Sequence, residues 1–175
     1  MRARADAEQV RALARDLDRF ARDDVTIYLT GGATAVIEGW RDSTVDIDLR
    51  VEPDSDDVMR RIAGAKDDLD LNIELASPPD FIPELPGWRD RSPFVFREGR
   101  VTVRHFDPYS QALAKIERGF ELDETDVRAM IDGGLVEPDR LLRLYAEIEP
   151  ALFRYPRIDA DDFRRKLERA VESER

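Results

Sequence analysis

The fold is decided by two neighbouring stretches of the chain, YLTGGATA at residues 28–35 and RDSTVDIDL at residues 41–49. The first closes a β-branched and aromatic run from Val25 that is typical of a buried strand, and two glycines end that strand. Small residues from Ala33 to Gly39 follow and predict a short helix. Apolar and polar residues then alternate from Thr44, which is the period of a strand with one polar face. A strand–helix–strand unit therefore lies at the centre of the predicted domain.

The remainder of the chain adds strands before Pro108 and helices after it. This order predicts an α/β or α+β core over residues 1–108, followed by a helical C-terminal region over residues 109–175 that packs on it. The further predicted elements are an amphipathic helix over 6–22, a helix capped by Ser55, a strand from Leu69 to Leu75, a hairpin over 94–103, and helices over 109–119, 123–132, 138–148 and 159–172.

One stretch carries an unusual share of proline. Five of the ten prolines lie between Ser77 and Pro93. Because proline fixes φ and has no N–H to donate, this composition predicts an extended surface loop rather than a helix or strand.

Composition excludes several classes of function. The chain has no cysteine and a single histidine, His105, so disulfide frameworks, thiolate zinc sites and cysteine nucleophiles are excluded. Its 28 Lys and Arg residues against 39 Asp and Glu give a net charge of −11, which argues against a general nucleic-acid or anionic-membrane binder. No apolar run approaches the roughly 20 residues of a membrane span, and the N-terminus is charged throughout. We expect a cytoplasmic protein with no membrane partner.

The aspartates of the alternating strand are the first candidate site residues. Residues i and i+2 project from the same face of a strand, so Asp46 and Asp48 stand side by side. Two adjacent like charges are unfavourable unless a cation or solvent compensates them, and Mg²⁺ commonly uses a couple of carboxylates together with substrate phosphates. A solvated strand face is the alternative interpretation of this pair.

The two glycines are the second candidate feature. Gly31 and Gly32 allow backbone amides to approach a ligand, and the helix that follows offers free N–H groups to a phosphate. Ordinary turn chemistry between a strand and a helix is the alternative.

Together, the double glycine, the short helix and the Asp-x-Asp strand resemble the core signature of the nucleotidyltransferase fold, the DNA polymerase β-like superfamily. The resemblance is strongest to small bacterial members similar to the AbiEii and MenT toxin nucleotidyltransferases, and its core covers about residues 25–76. It implies a mixed β-sheet flanked by helices, with a helical C-terminal part.

The resemblance also implies roles for individual residues. Asp46 and Asp48 would bind metal and act in catalysis, and the third acid of the pattern falls on Glu74. Many relatives have Ser after the first glycine and Asp as the third acid, so this chain departs from the pattern at Gly32 and Glu74. An exposed acid on an edge strand is the alternative for Glu74.

The nucleotide phosphates would be bound by the two glycines and by three further residues. Thr34 would supply the hydroxyl that the missing serine provides in relatives, and Arg41 would contact phosphate or pair with an acid such as Asp48. Lys115, on the first helix after the sheet, would reach the terminal phosphates, and pairing with an acid such as Asp126 is its alternative. The residues expected to bind nucleotide are Gly31, Gly32, Thr34, Arg41 and Lys115.

The implied reaction is transfer of a nucleotide from a nucleoside triphosphate to an acceptor hydroxyl, with two Mg²⁺ ions. The toxin relatives suggest a tRNA 3′ end as acceptor and a cognate antitoxin as partner, while other superfamily members modify proteins. A catalytically idle fold that serves as a binding or toxin–antitoxin partner module is the competing hypothesis. Arginines around the loop and hairpin form either a basic rim for RNA or a solvated face; they are Arg89, Arg91, Arg97, Arg100 and Arg104.

Overall fold

A computed structural model describes residues 3–173 of the chain. The chain divides into two compact units, one made of Met1–Ser77 and Ser92–Phe106 and the other of Pro78–Arg91 and Asp107–Arg175. The proline-rich stretch therefore belongs mostly to the second unit.

The first unit is a mixed five-stranded sheet with three helices, and the predicted α+β class is confirmed. Its strand order is β3-β2-β1-β5-β4, with antiparallel pairing in β1–β2 and β4–β5 and parallel pairing in β1–β5 and β2–β3. Its elements are α1 (Ala7–Asp18), β1 (Val25–Thr30), α2 (Gly32–Glu38), β2 (Asp46–Glu52), α3 (Asp56–Asp68), β3 (Asn72–Leu75), β4 (Phe94–Glu98) and β5 (Val101–His105).

The first helix ends earlier than its sequence pattern predicts. Asp6 and Gln9 form a capping box at its start, and Leu13 and Leu17 are among the residues that it buries. The helix stops at Asp18, so the prediction of a helix to residue 22 is wrong. Phe20 lies beyond the helix with about half of its side chain exposed, and the guanidinium of Arg61 covers its ring at 4.8 Å. That cation–π contact gives the aromatic ring a partner outside the helical stripe.

The alternation in β2 fixes which way its aspartates face. Ile47, Leu49 and Val51 are buried in the core of the unit, which α1 and α3 also line. Full burial of one such aliphatic side chain contributes about 1.5–3 kcal/mol. A slip of one residue in register would place Asp46 and Asp48 in that core, so the register is strongly specified.

The second unit is helical. Within residues 3–173, no helix of either unit is long and apolar enough to cross a membrane. The elements of the second unit are a 3₁₀ turn (Pro78–Asp80), α4 (Pro108–Arg118), α5 (Glu121–Asp132), α6 (Pro138–Ile148), a 3₁₀ helix (Glu149–Arg154) and α7 (Ala160–Glu172).

The prediction of an extended surface loop over residues 77–93 is wrong for much of that stretch. A 3₁₀ turn occupies Pro78–Asp80, and Ile82, Leu85 and Trp88 each have only 1% of their surface exposed. These three apolar residues are spaced three apart between the prolines. The prolines limit regular hydrogen bonding, but they do not keep the apolar side chains out of a core.

A buried carboxylate ties this stretch to the helices. Asp107 is fully buried and caps α4 by accepting hydrogen bonds from the Tyr109 N–H at 3.2 Å and the Ser110 hydroxyl at 2.8 Å. The Arg91 guanidinium also donates to Asp107, with its Nη2 at 2.7 Å. The positive charge of Arg91 and the hydrogen bonds from all three residues compensate for the desolvation of Asp107.

Trp88 is therefore expected to be a stability determinant despite its place among prolines. Trp88→Ala should lower the free energy of unfolding by about 3–5 kcal/mol, because it empties a large buried volume. Phe81→Ala, in the same stretch but 52% exposed, is the matched control and should cost much less. Chemical denaturation of both variants measures this, and equal losses would contradict the buried placement of Trp88.

Candidate functional site

A row of polar side chains crosses three neighbouring strands of the first unit. Thr30 of β1 is the register partner of Asp48 of β2, and Asp48 is in turn the register partner of Glu74 of β3. Asp46 lies on the same face of β2, two residues earlier. Because register partners project from the same side of a sheet, the three predicted acids share one face. Asp46 and Asp48 are half-buried, and Glu74 is exposed.

Asn72 is a fifth polar residue in this row, and its role was not predicted. Asn72 is the register partner of Asp46, and its side-chain amide donates a hydrogen bond to the Asp46 carboxylate. The signal was present in the sequence, since Asn72 precedes Glu74 by two residues and therefore shares its face. The amide orients Asp46 without neutralising its charge.

Gly31 places the end of β1 directly against Asp48. Its φ of 60° is in the region that favours glycine, and a Cβ added to it would lie 2.9 Å from Asp48 Oδ2. Both the backbone conformation and the close approach therefore exclude a side chain at this position. The glycine backbone can therefore lie close beside the Asp48 carboxylate.

Gly32 has a different neighbour. A Cβ at this position would lie 2.0 Å from the hydroxyl oxygen of Thr44, which is buried and donates a hydrogen bond to the carbonyl of Asp46 at 3.0 Å. Thr44 also forms an isolated antiparallel bridge with Ala5. The missing side chain of Gly32 thus lets Thr44 fix the start of β2, where Asp46 lies. Thr44 is a second residue whose role was not predicted.

Thr34 faces into the first unit and contacts protein groups there. Only 1% of it is exposed, and its hydroxyl lies 3.2 Å from the carbonyl of Leu29 and 3.0 Å from Nδ1 of His105. The other imidazole nitrogen of His105 lies 2.7 Å from the carboxylate of Glu38. The hydroxyl thus takes part in a buried polar chain, and its predicted contact with phosphate stays a prediction.

Arg41 lies in the turn between α2 and β2, where its backbone N–H donates to the carbonyl of Ala35 at 3.3 Å. Its guanidinium role toward phosphate stays a prediction. Arg41 precedes Asp46 by five residues in the sequence, on the segment that leads into β2.

Lys115 lies in the second unit and has two carboxylate partners there. It is 6% exposed, and its Nζ lies 2.6 Å from Asp126 Oδ2 and 3.2 Å from Asp123 Oδ1. Arg118 also binds Asp123, through two nitrogens at 2.6 and 2.7 Å. Burial alone would raise the pKa of Asp123, but the Arg118 hydrogen bonds and the charges of Lys115 and Arg118 outweigh it and lower that pKa. The pairing with Asp126 is the alternative that the sequence had left open, and the contact with phosphate stays a prediction.

A cavity of about 360 Å³ lies among α4, α5 and α7. Apolar side chains such as Ile116 line it together with Lys115 and Lys166. Lys166 pairs with Asp162 at 2.8 Å, so both lysines already have carboxylate partners within the second unit. We assign no ligand to this cavity.

The five arginines of the expected basic rim each have a partner within their own unit. Four of these contacts join charged or carbonyl groups at ordinary hydrogen-bonding distances, and the fifth is a looser ion pair. The contacts are Arg91–Asp107 at 2.7 Å, Arg97–Asp24 at 3.1 Å, Arg100 to the Ala21 carbonyl at 3.3 Å, Arg104 to the Ser92 carbonyl at 2.9 Å and Arg89–Glu84 at 3.9 Å.

The chemistry of the polar row suits a divalent cation. Its acids and its amide offer oxygen donors, which suit hard cations such as Mg²⁺. Among residues 3–173, no group of three or more acidic or histidine side chains is drawn together closely enough to hold a metal. Mg²⁺ often needs only one or two carboxylates, with water and substrate phosphates as its other ligands. The half-buried pair Asp46 and Asp48 fits that smaller requirement, and a third ligand from Glu74 stays a prediction.

Comparison with known proteins identifies a family. A family model described as "nucleotidyltransferase of unknown function (DUF6036)" matches residues 6–175. Searches of the curated proteins and of the solved structures gave no match.

Gly31→Ala tests the close approach between the glycine turn and β2. The variant should lose more stability than Gly39→Ala, because Gly39 also has a positive φ, of 86°, but has nothing within 4 Å of an added Cβ. Gly39, with a ψ of 11°, is in the left-handed region, where strain costs an alanine about 1–2 kcal/mol, whereas Gly31, with a ψ of −129°, lies outside that region. Denaturant unfolding of the two variants measures the combined cost of the backbone conformation at Gly31 and of its contact with Asp48, and equal losses would contradict both.

Lys115→Met tests the buried ion pairs of the second unit. It should lower the free energy of unfolding by about 3–5 kcal/mol, since it removes the buried ammonium group that both Asp123 and Asp126 contact. Lys166→Met is the matched control: its pair with Asp162 is only partly buried and should contribute about 0–1 kcal/mol. If thermal or chemical unfolding gave the two variants the same stability, Lys115 would not hold the helices together.

Proposed function

The chain belongs to the DUF6036 family of nucleotidyltransferases of unknown function, and on that premise we propose that it is a Mg²⁺-dependent nucleotidyltransferase. It would transfer a nucleotide from a nucleoside triphosphate to an acceptor hydroxyl. The acceptor oxygen attacks the α-phosphorus, the bond from that phosphorus to the bridging oxygen breaks, and pyrophosphate leaves.

The observation that carries this proposal is the position of the aspartate pair beside a backbone that carries no side chain. Asp46 and Asp48 share one face of β2, and the missing Cβ of Gly31 lets the backbone of the glycine turn lie close to Asp48 Oδ2. The negative charges of the aspartate pair repel a polyanionic ligand such as a triphosphate. A divalent cation bound between the carboxylates and the phosphates would compensate for this repulsion.

Each residue of the row has a separate task in the proposed reaction. Asp46 and Asp48 would hold Mg²⁺, which when bound neutralises phosphate charge and favours deprotonation of the acceptor hydroxyl. Asn72 keeps Asp46 oriented, and Glu74, exposed on the neighbouring strand, would take up the proton of that hydroxyl. The backbone at Gly31 would border the triphosphate.

The acceptor is proposed from the resemblance to the AbiEii and MenT toxins. This resemblance supports an acceptor hydroxyl on tRNA or on a protein. It also supports a cognate antitoxin as a binding partner. The net charge of −11 disfavours a long, non-specific contact with RNA. A short contact limited to a tRNA 3′ end agrees with both considerations.

Asp46→Asn and Asp48→Asn should each weaken Mg²⁺-dependent nucleotide binding while leaving the protein as stable as before, or slightly more so. Removing one charge-assisted contact costs about 1.5–3 kcal/mol, or about ten- to a hundredfold in affinity. Removing one of two neighbouring like charges also relieves repulsion. Isothermal titration with each of the four nucleoside triphosphates, with and without Mg²⁺, measures the affinity, and thermal unfolding measures the stability.

Asp42→Asn is the matched control, because Asp42 is an exposed aspartate in the turn just before β2. It should bind nucleotide as the wild type does. Glu74→Gln should retain nucleotide binding and lose turnover, which separates its role from that of the pair. Wild-type protein that binds no nucleotide in the presence of Mg²⁺ would favour the idle binding module and overturn the proposed reaction.

A further inference from the structure

We propose that His105 is a positioning residue for the glycine turn of the candidate site: it holds two residues of the short helix α2, Thr34 and Glu38, to the end of β5. The effect of His105 on nucleotide binding rests on the proposed function. The effect of His105 on the position of Gly31 does not depend on that function.

The single histidine of the chain bridges two residues of α2 from another strand. His105 ends β5 and is 1% exposed, with Nδ1 3.0 Å from the hydroxyl of Thr34 and Nε2 2.7 Å from the carboxylate of Glu38. Thr34 lies in the first turn of α2, and Glu38 is its last residue. The imidazole therefore bridges two residues of α2 that lie one helical turn apart.

The arrangement of protons follows from the chemistry of the three groups. An ionised Glu38 can only accept, so Nε2 of His105 carries a proton and donates it. Burial lowers the pKa of His105 more than the Glu38 charge and hydrogen bond raise it, which favours the neutral imidazole. A neutral imidazole protonated at Nε2 has a free acceptor at Nδ1, and the hydroxyl of Thr34 donates to it. The carbonyl of Leu29, also near that hydroxyl, already accepts from the N–H of Phe106 at 2.7 Å.

Helix α2 depends on such support from outside. It has only seven residues, and no side chain caps its start at Gly31. Two turns of helix are not stable by themselves, so packing and tertiary hydrogen bonds must hold them. The strand that supplies His105 is itself fixed, since β5 pairs in parallel with β1 and Leu29 is the register partner of His105. The chain Glu38–His105–Thr34 thus holds α2 to the part of the sheet from which Gly31 emerges.

The link to the candidate site is short. Gly31 precedes Thr34 by three residues and lies against Asp48, with only 2.9 Å available to a Cβ. A small displacement of α2 would move Gly31 and change the distance between its backbone and the Asp48 carboxylate. His105 touches no predicted metal ligand in this arrangement, so its effect on the site passes through Thr34 and the turn.

The experiment compares Thr34→Val, which removes the hydroxyl at nearly constant shape, with Thr34→Ser, which restores it. Backbone amide resonances of Gly31 and Gly32 in ¹H–¹⁵N NMR spectra report the position of the turn. They should shift strongly in Thr34→Val and return close to the wild-type values in Thr34→Ser. Mg²⁺-dependent nucleotide affinity should fall about tenfold in Thr34→Val, the equivalent of one lost hydrogen bond, and recover in Thr34→Ser.

Asp16→Asn is the matched control for a general loss of stability. It breaks the ion pair between Asp16 and Arg61, 2.6 Å long, which joins α1 to α3 in the same unit. It should lower the melting temperature and leave the Gly31 resonances and the nucleotide affinity unchanged. Because His105 is the only histidine in the sequence, both imidazole ¹⁵N signals belong to this residue. Of these two signals, Thr34→Val should shift that of Nδ1.

The outcomes separate the two claims. Unchanged Gly31 resonances in Thr34→Val, or the same shifts in Asp16→Asn, would overturn the positioning role whatever the nucleotide result. A wild-type protein that binds no nucleotide would overturn the proposed function, while the NMR comparison would still decide whether His105 sets the turn. Shifted Gly31 resonances with unchanged nucleotide affinity would overturn the claim that this positioning serves binding.

Discussion

The absence of side chains at Gly31 and Gly32 is the constraint on which the first unit depends. One glycine allows the end of β1 to lie against the Asp48 carboxylate, and the other allows Thr44 to reach the carbonyl of Asp46. Both contacts act on β2, so two glycines position the strand that carries the aspartate pair. A larger residue at either site would have to displace a neighbour that the sheet register holds in place.

The carboxylates around Lys115 and the carboxylate of Asp46 have different partners. In the helical unit, Lys115 and Arg118 contact the buried carboxylates of Asp123 and Asp126, which is the pattern of a structural ion-pair network. In the sheet unit, Asp46 accepts a hydrogen bond from the neutral amide of Asn72, which brings no opposite charge to it. A carboxylate oriented in this way can still bind a cation. The contrast agrees with the proposal that the chemistry lies on the sheet, and the contact of Lys115 with phosphate stays a prediction.

The strands, the short helix and the shared face of the aspartates could be predicted because they follow from local periodicity. Asp46 and Asp48 share a face by spacing alone, and the register of β3 then brings in Glu74. Contacts between segments that are far apart in the sequence could not be predicted from local periodicity. Thr44 meets Gly32 across a turn, and Trp88 enters a core although prolines surround it. Composition describes backbone freedom in such a segment, but burial is decided by which distant surface the segment meets.

The fate of the α-phosphate decides whether the aspartate pair supports transfer of a nucleotide. The protein is incubated with nucleoside triphosphates labelled at the α- or the γ-phosphate, together with cellular RNA and protein, with and without Mg²⁺. We expect α-label to enter one of these pools only when Mg²⁺ is present, and γ-label to be released as pyrophosphate. Transfer of γ-label to an acceptor, or no incorporation of α-label into either pool, would show that the pair does not support this reaction.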